Sequence, residues 1–200
     1  MHAAGAPKLK RLGSKVFRWH MSNFAVFDVA VENVVVTAKF KHDLDLAALA
    51  KIFPQARPMR KFPALAYKLK RPRVTMLIYA SGKVVCTGAK SESEASSVIG
   101  DFVETMRREG FVFPSPPEVK AENAVVSALL RTGVNAKEAV KRLNATVYEP
   151  EGFPGVVVKL RDVEPSFLIF STGKVVCVGS KTVNAAKEAI AVLEKKLNEL

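Results

Sequence analysis

Cysteine and histidine are scarce in this chain, which has two cysteines and three histidines among 200 residues. Two cysteines do not make a disulfide framework, so we interpret each as a small apolar residue in a strand and expect a reducing compartment. The longest apolar runs fall far short of the roughly 20 residues that a membrane helix needs, and no signal-peptide layout is present. We therefore predict a soluble, intracellular protein with no membrane partner.

Candidate catalytic and metal-binding groups are also few. His2 and His20 lie in the N-terminal segment and His42 is isolated. The sequence has no carboxylate cluster, zinc-ligand spacing or phosphate-cradling glycine loop. Asp43 and Asp45 flank an expected helix start, where an aspartate typically caps the helix. The sequence therefore predicts neither an enzyme nor a cofactor or metal site.

Positive charge is in excess. The formal net charge is +12 and the isoelectric point is near 9.8, a balance that favours a polyanionic partner. The excess is uneven, because residues 1–22 contain five Lys or Arg and no acid, whereas the net charge falls from +6 over residues 29–113 to +2 over residues 114–200. The first half of the folded part is therefore the more basic one.

The chain contains the same unit twice. Residues 81–90 return as residues 172–181 at an offset of 91, and residues 32–36 return as residues 122–126 at an offset of 90. The order of the motifs is preserved, which indicates two pseudo-symmetric repeats. A protein with that symmetry suits a ligand that has it too, such as duplex DNA.

Each repeat predicts the same order of elements. Alternating β-branched residues indicate strands and helical spacing of apolar residues indicates helices. The expected N-caps are Asp43 and Ser91, with Glu94 as the capping-box partner of Ser91 and Gly110 as the stop of that helix. The predicted domains are a basic arm over residues 1–28 and repeats over 29–113 and 114–200. The first repeat has strands over 31–39, 57–60, 64–70, 74–79 and 84–88, and helices over 44–53 and 91–108. The second has strands over 119–129, 155–160, 166–170 and 175–179, and helices over 135–143 and 183–197.

The predicted strands are apolar on both faces. If alternate residues face the core, Leu77 and Tyr79 in the first repeat and Leu168 and Phe170 in the second remain on the opposite side. Two helices per repeat are too few to cover both sides of a sheet of about ten strands. A broad apolar surface therefore faces something else, and a dimer interface or a fully buried sheet stays an open alternative.

Two turns place a phenylalanine beside a proline. Residues 61–63 read Lys-Phe-Pro and residues 152–154 read Gly-Phe-Pro, and Lys68 and Lys159 follow on neighbouring strands. Apolar wedges surrounded by cations suit a DNA minor groove that is being opened.

Together these motifs resemble the TATA-box-binding protein family, of archaeal type, over about residues 29–198. The doubled motifs are Glu-Asn-x-Val-Val, Lys-Phe-Pro with Gly-Phe-Pro-Gly, and Ile-Tyr-Ala-Ser-Gly-Lys with Ile-Phe-Ser-Thr-Gly-Lys; residues 148–151 add Tyr-Glu-Pro-Glu. The resemblance implies an α+β fold in which one curved antiparallel sheet of about ten strands forms a saddle with four helices on its convex face. It also implies a general transcription initiation factor in the archaeal cytoplasm, at the nucleoid. Such a factor binds A·T-rich promoter DNA, kinks it, and recruits transcription factor B and, indirectly, RNA polymerase. The family is a known example of minor-groove kinking.

By this resemblance the DNA-binding residues fall into three groups. Those matching the wedges that enter base steps, with their adjoining proline, are Phe62, Tyr79, Phe153, Pro154 and Phe170. Those matching the central groove contacts and their apolar lining are Asn33, Val35, Leu77, Val85, Thr87, Asn123, Val125, Leu168, Val176 and Val178. Candidates for phosphate contacts are Arg60, Lys61, Lys68, Lys83, Lys90, Lys159, Lys174 and Lys181.

The chain departs from the family pattern at three positions. Tyr79 replaces the usual Phe, so we expect a poorer wedge because its hydroxyl needs water or a phosphate. Val178 replaces a Thr and removes a hydrogen-bond donor, and Gly152 stands where a larger apolar residue is common.

Glu149 and Glu151 form an acidic loop whose counterpart in the first repeat is basic. DNA repels such a loop, so by resemblance its partner is transcription factor B; solvated turn carboxylates are the alternative.

Two other functions remain open at this point. One is a saddle-like accessory domain of a DNA-repair or RNA-cleaving enzyme, against which the absence of residues for a catalytic domain speaks. The other is a diverged paralogue that binds only protein.

Overall fold

The computed structural model describes residues 27–130, 138, 140–149 and 151–199. These residues contain ten strands and three helices. In the first half they are β1 (Phe27–Lys39), α1 (Leu46–Ile52), β2 (Arg57–Pro58), β3 (Ala64–Lys68), β4 (Thr75–Tyr79), β5 (Lys83–Ala89) and α2 (Glu92–Arg108). In the second half they are β6 (Glu118–Leu129), β7 (Ala145–Tyr148), β8 (Gly155–Leu160), β9 (Ser166–Phe170), β10 (Lys174–Ser180) and α3 (Val183–Asn198).

All ten strands join in one antiparallel sheet with the order β2-β3-β4-β5-β1-β6-β10-β9-β8-β7. Each strand of the first repeat has its counterpart of the second repeat at the mirrored position in this order. The two first strands of the repeats, β1 and β6, therefore pair at the centre of the sheet. The pairs that face each other there are Asn33 with Val125, Val34 with Ala124 and Val35 with Asn123. Equivalent residues of the two repeats differ by 90 in number, so the symmetry converts the pair Asn33–Val125 into the pair Asn123–Val35. The pseudo-two-fold axis therefore passes through the middle pair, Val34 and Ala124.

The core lies on one face of this sheet only. In the first repeat α2 buries Ile99, Phe102 and Met106 against the strands, and in the second α3 buries Ile190 and Leu193 in the same way. One helix-covered face and one open face make the predicted α+β saddle, which is confirmed, with three helices rather than four in the part of the chain that is described. Within those same residues, no helix combines the length and apolar character needed to cross a membrane.

The predicted ends of α2 are confirmed. The Oγ atom of Ser91 accepts a hydrogen bond from the backbone N–H of Glu94 at 3.0 Å. The Glu94 carboxylate accepts in turn from the N–H of Lys90 at 2.7 Å, one residue before the cap. At the other end Gly110 has a φ of +88°, and the N–H groups of Gly110 and Phe111 bond back to the last turn.

The predicted N-cap of α1 is wrong by two residues. Asp43 does not cap the helix; Asp45 does, because its Oδ1 atom accepts from the N–H groups of Ala47 and Ala48. Leu44 explains the shift: it is buried, and its own N–H bonds to the carbonyl of Ala80 at 2.8 Å. The chain is therefore still tied to the β4–β5 turn where a helix was expected to begin.

Two differences concern the second repeat. Of the helix expected over residues 135–143, residues 135–137 and 139 lie outside the described residues, Glu138 and Val140 are helical, and residues 141–143 form a turn. Strand β7 was not expected from the sequence, yet it pairs with β8 from Ala145 opposite Leu160 to Tyr148 opposite Val157. It occupies the edge position that β2 has in the first repeat.

Candidate nucleic-acid interface

The uncovered face of the sheet carries every residue that was expected to line the groove. Along β4, β5, β9 and β10, buried residues alternate with half-buried ones, and the half-buried set faces away from the helices. The register joins these side chains across the sheet: Leu77 lies opposite Val85 in the first repeat and Leu168 opposite Val176 in the second. Twelve predicted residues on the strands share this half-buried state: Asn33, Val35, Leu77, Tyr79, Val85, Thr87, Asn123, Val125, Leu168, Phe170, Val176 and Val178.

Asn33 is held in one orientation beside the symmetry axis. Its Oδ1 atom accepts from the backbone N–H of Gly88 at 2.7 Å, and its Nδ2 group lies 3.2 Å from the Oγ1 atom of Thr87. A backbone N–H can only donate, so the atom that faces it must be the carboxamide oxygen. The Oγ1 atom of Thr87 also lies 3.3 Å from Oδ1 of Asn33, so the hydroxyl can accept from the amide group or donate to the carboxamide oxygen.

Asn123 repeats half of that arrangement. Its Oδ1 atom accepts from the N–H of Gly179 at 3.2 Å. Val178 stands where the first repeat has Thr87, and its methyl groups offer no hydrogen-bond partner to the carboxamide. The second asparagine is thus oriented by the backbone alone.

The four predicted wedge residues are not equivalent. The rings of Phe153 and Phe170 pack together, with centroids 5.7 Å apart, whereas Phe62 is 54% exposed. Gly155 makes room for the second-repeat pair, because a Cβ atom there would lie 3.0 Å from Phe153 Cε1 and 3.3 Å from Phe170 Cδ1. Sequence reasoning missed this glycine, although Gly follows Phe-Pro directly.

The predicted phosphate-binding cations are all exposed, and most of them lie on strand ends and turns around the open face. Lys90 is the one with a close intramolecular contact: its Nζ atom donates to the carbonyl of Glu32 at 2.7 Å and lies 3.9 Å from the carboxylate of the same residue. The other seven, Arg60, Lys61, Lys68, Lys83, Lys159, Lys174 and Lys181, lie on the exposed surface.

Two glutamates on the open side were not predicted as site residues. Glu32 and Glu122 are the extra residues at two symmetry-related β-bulges between β1 and β6. Each accepts a hydrogen bond from a hydroxyl of the opposite strand: Ser127 bonds to Glu32 at 2.6 Å, and Thr37 bonds to Glu122 at 3.0 Å. The Glu-Asn pair occurs in both copies, so the doubled motif itself was the available signal.

Electrostatics distinguishes the two bulge carboxylates. The hydrogen bond from Ser127, aided by the charges of Lys174 and Lys90, holds the pKa of Glu32 below its usual value against a smaller opposing effect of burial. Glu122 has instead Lys120, whose Nζ atom is 3.7 Å away. Negative charge is thus placed at the centre of a surface that is otherwise apolar and cationic.

The acidic loop of the second repeat begins beside a lysine. Lys141 lies 3.3 Å from Glu138 and 3.6 Å from Glu149, and the hydrogen bond and charge of Glu138, with a further contribution from Glu149, raise the pKa of Lys141. Glu151 is exposed, as is Tyr148, which is 63% accessible. The loop therefore presents an aromatic ring and carboxylates together at the sheet edge.

The two cysteines behave as apolar residues. Cys86 and Cys177 are buried at equivalent positions of β5 and β10. Burial raises the pKa of Cys86 to about 11 and also raises that of Cys177. Both thiols are protonated at neutral pH and unsuited to act as nucleophiles.

The sheet is internally duplicated, buries one face against helices and leaves the other face open with cations around it. This arrangement defines a saddle-type binding protein. The family described as "Transcription factor TFIID (or TATA-binding protein, TBP)" matches residues 28–108 and 118–200. The TATA-box-binding protein of Methanothermobacter thermautotrophicus is 39% identical over 174 residues, which cover 86% of this chain and 96% of that protein. The one from Pyrobaculum calidifontis is 37% identical over 171 residues, covering 85% and 86%.

A solved structure agrees with the sequence relatives. The Methanococcus jannaschii TBP superimposes with a TM-score of 0.77 at 37% identity, covering 86% of this chain and 99% of that one. The chain therefore belongs to the TATA-box-binding protein family, whose members are DNA-binding transcription factors and not enzymes.

Proposed function

We propose that the open face binds the minor groove of A·T-rich promoter DNA and kinks it. The observation that carries this proposal is the symmetric pair of carboxamides beside the axis. The N–H groups of Gly88 and Gly179 donate to the carboxamide oxygens of Asn33 and Asn123. With the oxygens held in this way, the Nδ2 donors of the two asparagines are directed to a ligand. Adenine N3 and thymine O2 are acceptors at similar positions whichever way the base pair is turned.

The apolar lining supplies the preference against G·C pairs. Guanine adds an N2 amino group to the minor-groove floor, and that group needs an acceptor. Val35, Val85, Val125 and Val176 offer none, so a buried amino group there would lose its hydrogen bonds to water. An A·T pair exposes no such donor and packs against the same side chains without that loss.

The aromatic side chains account for kinking. Unstacking a base step costs about a few kcal/mol, which the larger contact of a bent duplex offsets. Phe153 and Phe170 are already packed as a unit. Phe62 is exposed on the equivalent loop, and Tyr79 lies opposite Ala64, which is two residues after Phe62. In this arrangement the repeats, residues 29–113 and 114–200, each contact one half of the site, and the exposed cations contact its phosphates.

We further propose that the factor recruits transcription factor B, and through it RNA polymerase, at the nucleoid of an archaeal cell. The support is the acidic second-repeat loop, where Glu149 and Glu151 lie beside exposed Tyr148. The corresponding first-repeat loop carries Arg60 and Lys61 instead. A protein partner that prefers the acidic loop would tell the two ends of a nearly symmetric complex apart.

Three duplexes of one length test the groove assignment. The first carries an A·T-rich box, the second has inosine·cytosine pairs in its place, and the third has guanine·cytosine pairs. Inosine lacks the N2 amino group, so the first two share minor-groove chemistry and differ in the major groove. We expect the chain to bind and bend the first two and to bind the third weakly. Equal affinity for all three duplexes, or binding to none of them, would refute the proposal. The chain would then be a diverged paralogue that binds only protein.

The partner assignment needs a separate experiment with purified transcription factor B. Replacing Glu149 and Glu151 by Lys should abolish the ternary complex in a gel-shift assay and leave DNA binding intact or slightly stronger. Lys61→Glu in the basic loop is the matched control, which should weaken DNA binding and spare capture of the partner by the DNA-bound protein. An unchanged ternary complex in the Glu149/Glu151 variant would show that these carboxylates do not contact the partner.

A further inference from the structure

The hairpin formed by β3 and β4 ends in a cluster of positive charge. Residues 68–73 read Lys-Leu-Lys-Arg-Pro-Arg, so four of the six side chains are cationic and none is acidic. These four cations, Lys68, Lys70, Arg71 and Arg73, are all exposed. None of them forms an ion pair with a carboxylate that the structure describes. The end of the hairpin, residues 70–73, is called the first tip below.

The first tip continues the open side of the sheet. Lys68 ends β3 on that side. The hairpin then runs on, because the N–H of Leu69 donates to the carbonyl of Val74 at 2.8 Å, and both of these side chains pack on the helix-covered core. Lys70 and Arg73 come next, so the alternation of strand residues returns them to the open side, about 7 Å beyond Lys68. The tip therefore borders the proposed groove and projects past it.

The same tip adjoins the residues that fix the first central carboxamide. A Cβ atom on Gly88 would lie 2.6 Å from the carbonyl oxygen of Arg73 and 3.4 Å from Cα of Val74. The N–H of Gly88 is the group that holds Asn33. The cationic tip and the central carboxamide thus belong to one continuous surface.

The acidic groups on the neighbouring strand and helix have other partners. The carboxylate of Glu32 lies 3.9 Å from Lys90. At the start of α2, the carboxylate of Glu94 accepts from the N–H of Lys90, and that of Glu92 accepts from the N–H of Val183. None of these contacts involves the first tip, so within the described part of the chain its charge is not compensated.

The equivalent end of the β8–β9 hairpin is neutral. The six residues there read Lys-Leu-Arg-Asp-Val-Glu, so two cations are balanced by two acids. At the offset of 91, Asp162 corresponds to Arg71. Glu164 corresponds in the same way to Arg73. Asp162 is also paired with Lys196 of α3, whose Nζ atom lies 3.6 Å away.

We propose that Arg71 and Arg73 bind phosphates of the DNA strand that passes the first repeat, at the outer border of the groove. This inference rests on the proposed function, because it requires the open face to hold DNA. Uncompensated cations on that side attract the phosphate backbone, and a guanidinium group suits phosphate because its donors match two oxygens at once. Carboxylates at the equivalent positions repel phosphate, so the contact forms in one half of the complex only.

Salt dependence measures the contact. Each phosphate that a cation neutralises changes the slope of log affinity against log salt by about 0.9. Two contacts therefore correspond to about 1.8, so between about 50 and 200 mM salt the affinity of a variant without them should fall about 12-fold less than that of the native chain. Sequence preference should be unaffected, because phosphate contacts carry no direct base information.

The test compares Arg71→Gln/Arg73→Gln with Arg107→Gln/Arg108→Gln on the A·T-rich duplex. Both variants lose two exposed cations, but Arg107 and Arg108 lie at the end of α2, on the helix-covered side. The slope of the tip variant should be shallower by about 1.8, and that of the control variant should stay close to the native slope. Matching thermal unfolding of the two variants shows that both are folded.

The reverse exchange tests the comparison between the repeats. Asp162→Arg/Glu164→Arg gives the second hairpin the cations of the first. The slope should then steepen by about 1.8. The Asp162–Lys196 ion pair that this variant loses is exposed, so its loss should change stability little. An unchanged slope would overturn the assignment of the contact to these two positions.

Neutral linkages locate the contact on the DNA. Methylphosphonates placed one at a time along both strands should weaken the native chain at each contacted phosphate. For each orientation in which the protein binds, one group of adjacent positions should weaken the native chain and leave Arg71→Gln/Arg73→Gln unaffected. Equal sensitivity of the two proteins at every position would overturn the contact.

The remaining outcomes separate the two proposals. Equal slopes for the native chain and the tip variant, or an equal loss in both Gln variants, would overturn the tip contact while the saddle still binds the box. Failure of all these proteins to bind the A·T-rich duplex would overturn the proposed function itself. Intact DNA binding by the tip variant, with loss of the ternary complex with transcription factor B, would assign the tip to a protein partner and overturn the phosphate contact.

Discussion

Asn33 and Asn123 occupy symmetric places, yet only Asn33 has a hydroxyl beside its carboxamide. The same contrast recurs across the repeats: Phe153 packs against Phe170, whereas Phe62 is mostly exposed. The backbone obeys the pseudo-two-fold axis down to the paired bulges, and the side chains on the open face do not. A symmetric sheet therefore carries two unlike sets of side chains on its open face.

The largest expected difference between the repeats is at two equivalent glycines. Gly88 has a φ of +101° and Gly179 one of +97°, so alanine strains the backbone by about 1–3 kcal/mol at either. At Gly88 the new Cβ would also lie 2.6 Å from the carbonyl oxygen of Arg73. At Gly179 its nearest atom is Pro165 Cα at 3.9 Å.

We therefore expect Gly88→Ala to destabilise the protein by roughly 3–5 kcal/mol, and Gly179→Ala by about 1–3 kcal/mol. Denaturant unfolding of both variants measures the difference. Equal free energies of unfolding would mean that the β3–β4 turn moves freely away from Gly88.

The second difference concerns the wedges. Phe153→Ala removes one ring of a packed pair, and stacking of a base on an aromatic side chain contributes about 1–3 kcal/mol. We expect a loss of this size in affinity for the A·T-rich duplex, together with a smaller bend measured by energy transfer between the duplex ends. Phe62→Ala is the matched control in the other repeat and should affect mainly the bend at its own end. A full bend in the Phe153 variant would contradict the wedge assignment.

The third difference is a contact between the repeats. A carboxylate oxygen of Glu92, in the first turn of α2, accepts from the N–H of Val183 at the start of α3 at 3.0 Å. Glu92→Ala leaves that N–H without its charged partner, so we expect a loss of roughly 1.5–3 kcal/mol. Thermal unfolding should show a fall of several degrees. Glu92→Gln keeps an acceptor oxygen and should lose less; an equal loss would assign the effect to charge alone.

The fourth difference can be exchanged between the repeats. Thr87→Val gives the first repeat the pairing of the second, and Val178→Thr does the reverse. The hydrogen bond at stake contributes about 0.5–1.5 kcal/mol, so we expect threefold to tenfold weaker DNA binding for Thr87→Val and a gain for Val178→Thr. Comparing both variants on a box and on its reversed sequence would show whether this asymmetry sets orientation. Identical affinities in all four combinations would remove Thr87 from the readout.

The smallest expected effect is on pH dependence. The hydrogen bond from Ser127 holds the folded-state pKa of Glu32 below its usual value, so as the pH falls the unfolded chain takes up this proton before the folded chain does. The stabilisation is therefore complete above about pH 4.5 and is lost as pH falls through the folded pKa. The Glu32 side chain is 42% exposed, so solvent screening limits the change to about a few tenths of a kcal/mol.

In the Glu32→Gln variant, the fall in the free energy of unfolding between pH 5 and 3 should be smaller by that amount. The Glu122→Gln variant is the comparison across the axis. A slope that Glu32→Gln leaves untouched would assign the acid sensitivity to other carboxylates.

Much of the fold could be predicted from the chain alone. The strand 155–160 agrees with β8 and 166–170 with β9 to the residue, because period-2 alternation and flanking turn residues are local signals. The cap at Ser91 was equally local. Asp43 was mispredicted as a cap since the choice between two nearby aspartates depended on the hydrogen bond that Leu44 makes to a distant turn.

The sequence by itself determined the duplication, the strands and the apolar residues on both of their faces, because these depend on repeat spacing and on alternation along one strand. Only the tertiary structure decided that Glu32 and Glu122 sit at paired bulges and that Gly88 and Gly179 fix the two carboxamides. It also decided that Gly155 admits the packed rings of Phe153 and Phe170. Each of these contacts joins residues that are far apart in the chain or on different strands, so the register of the folded sheet must exist before they can form.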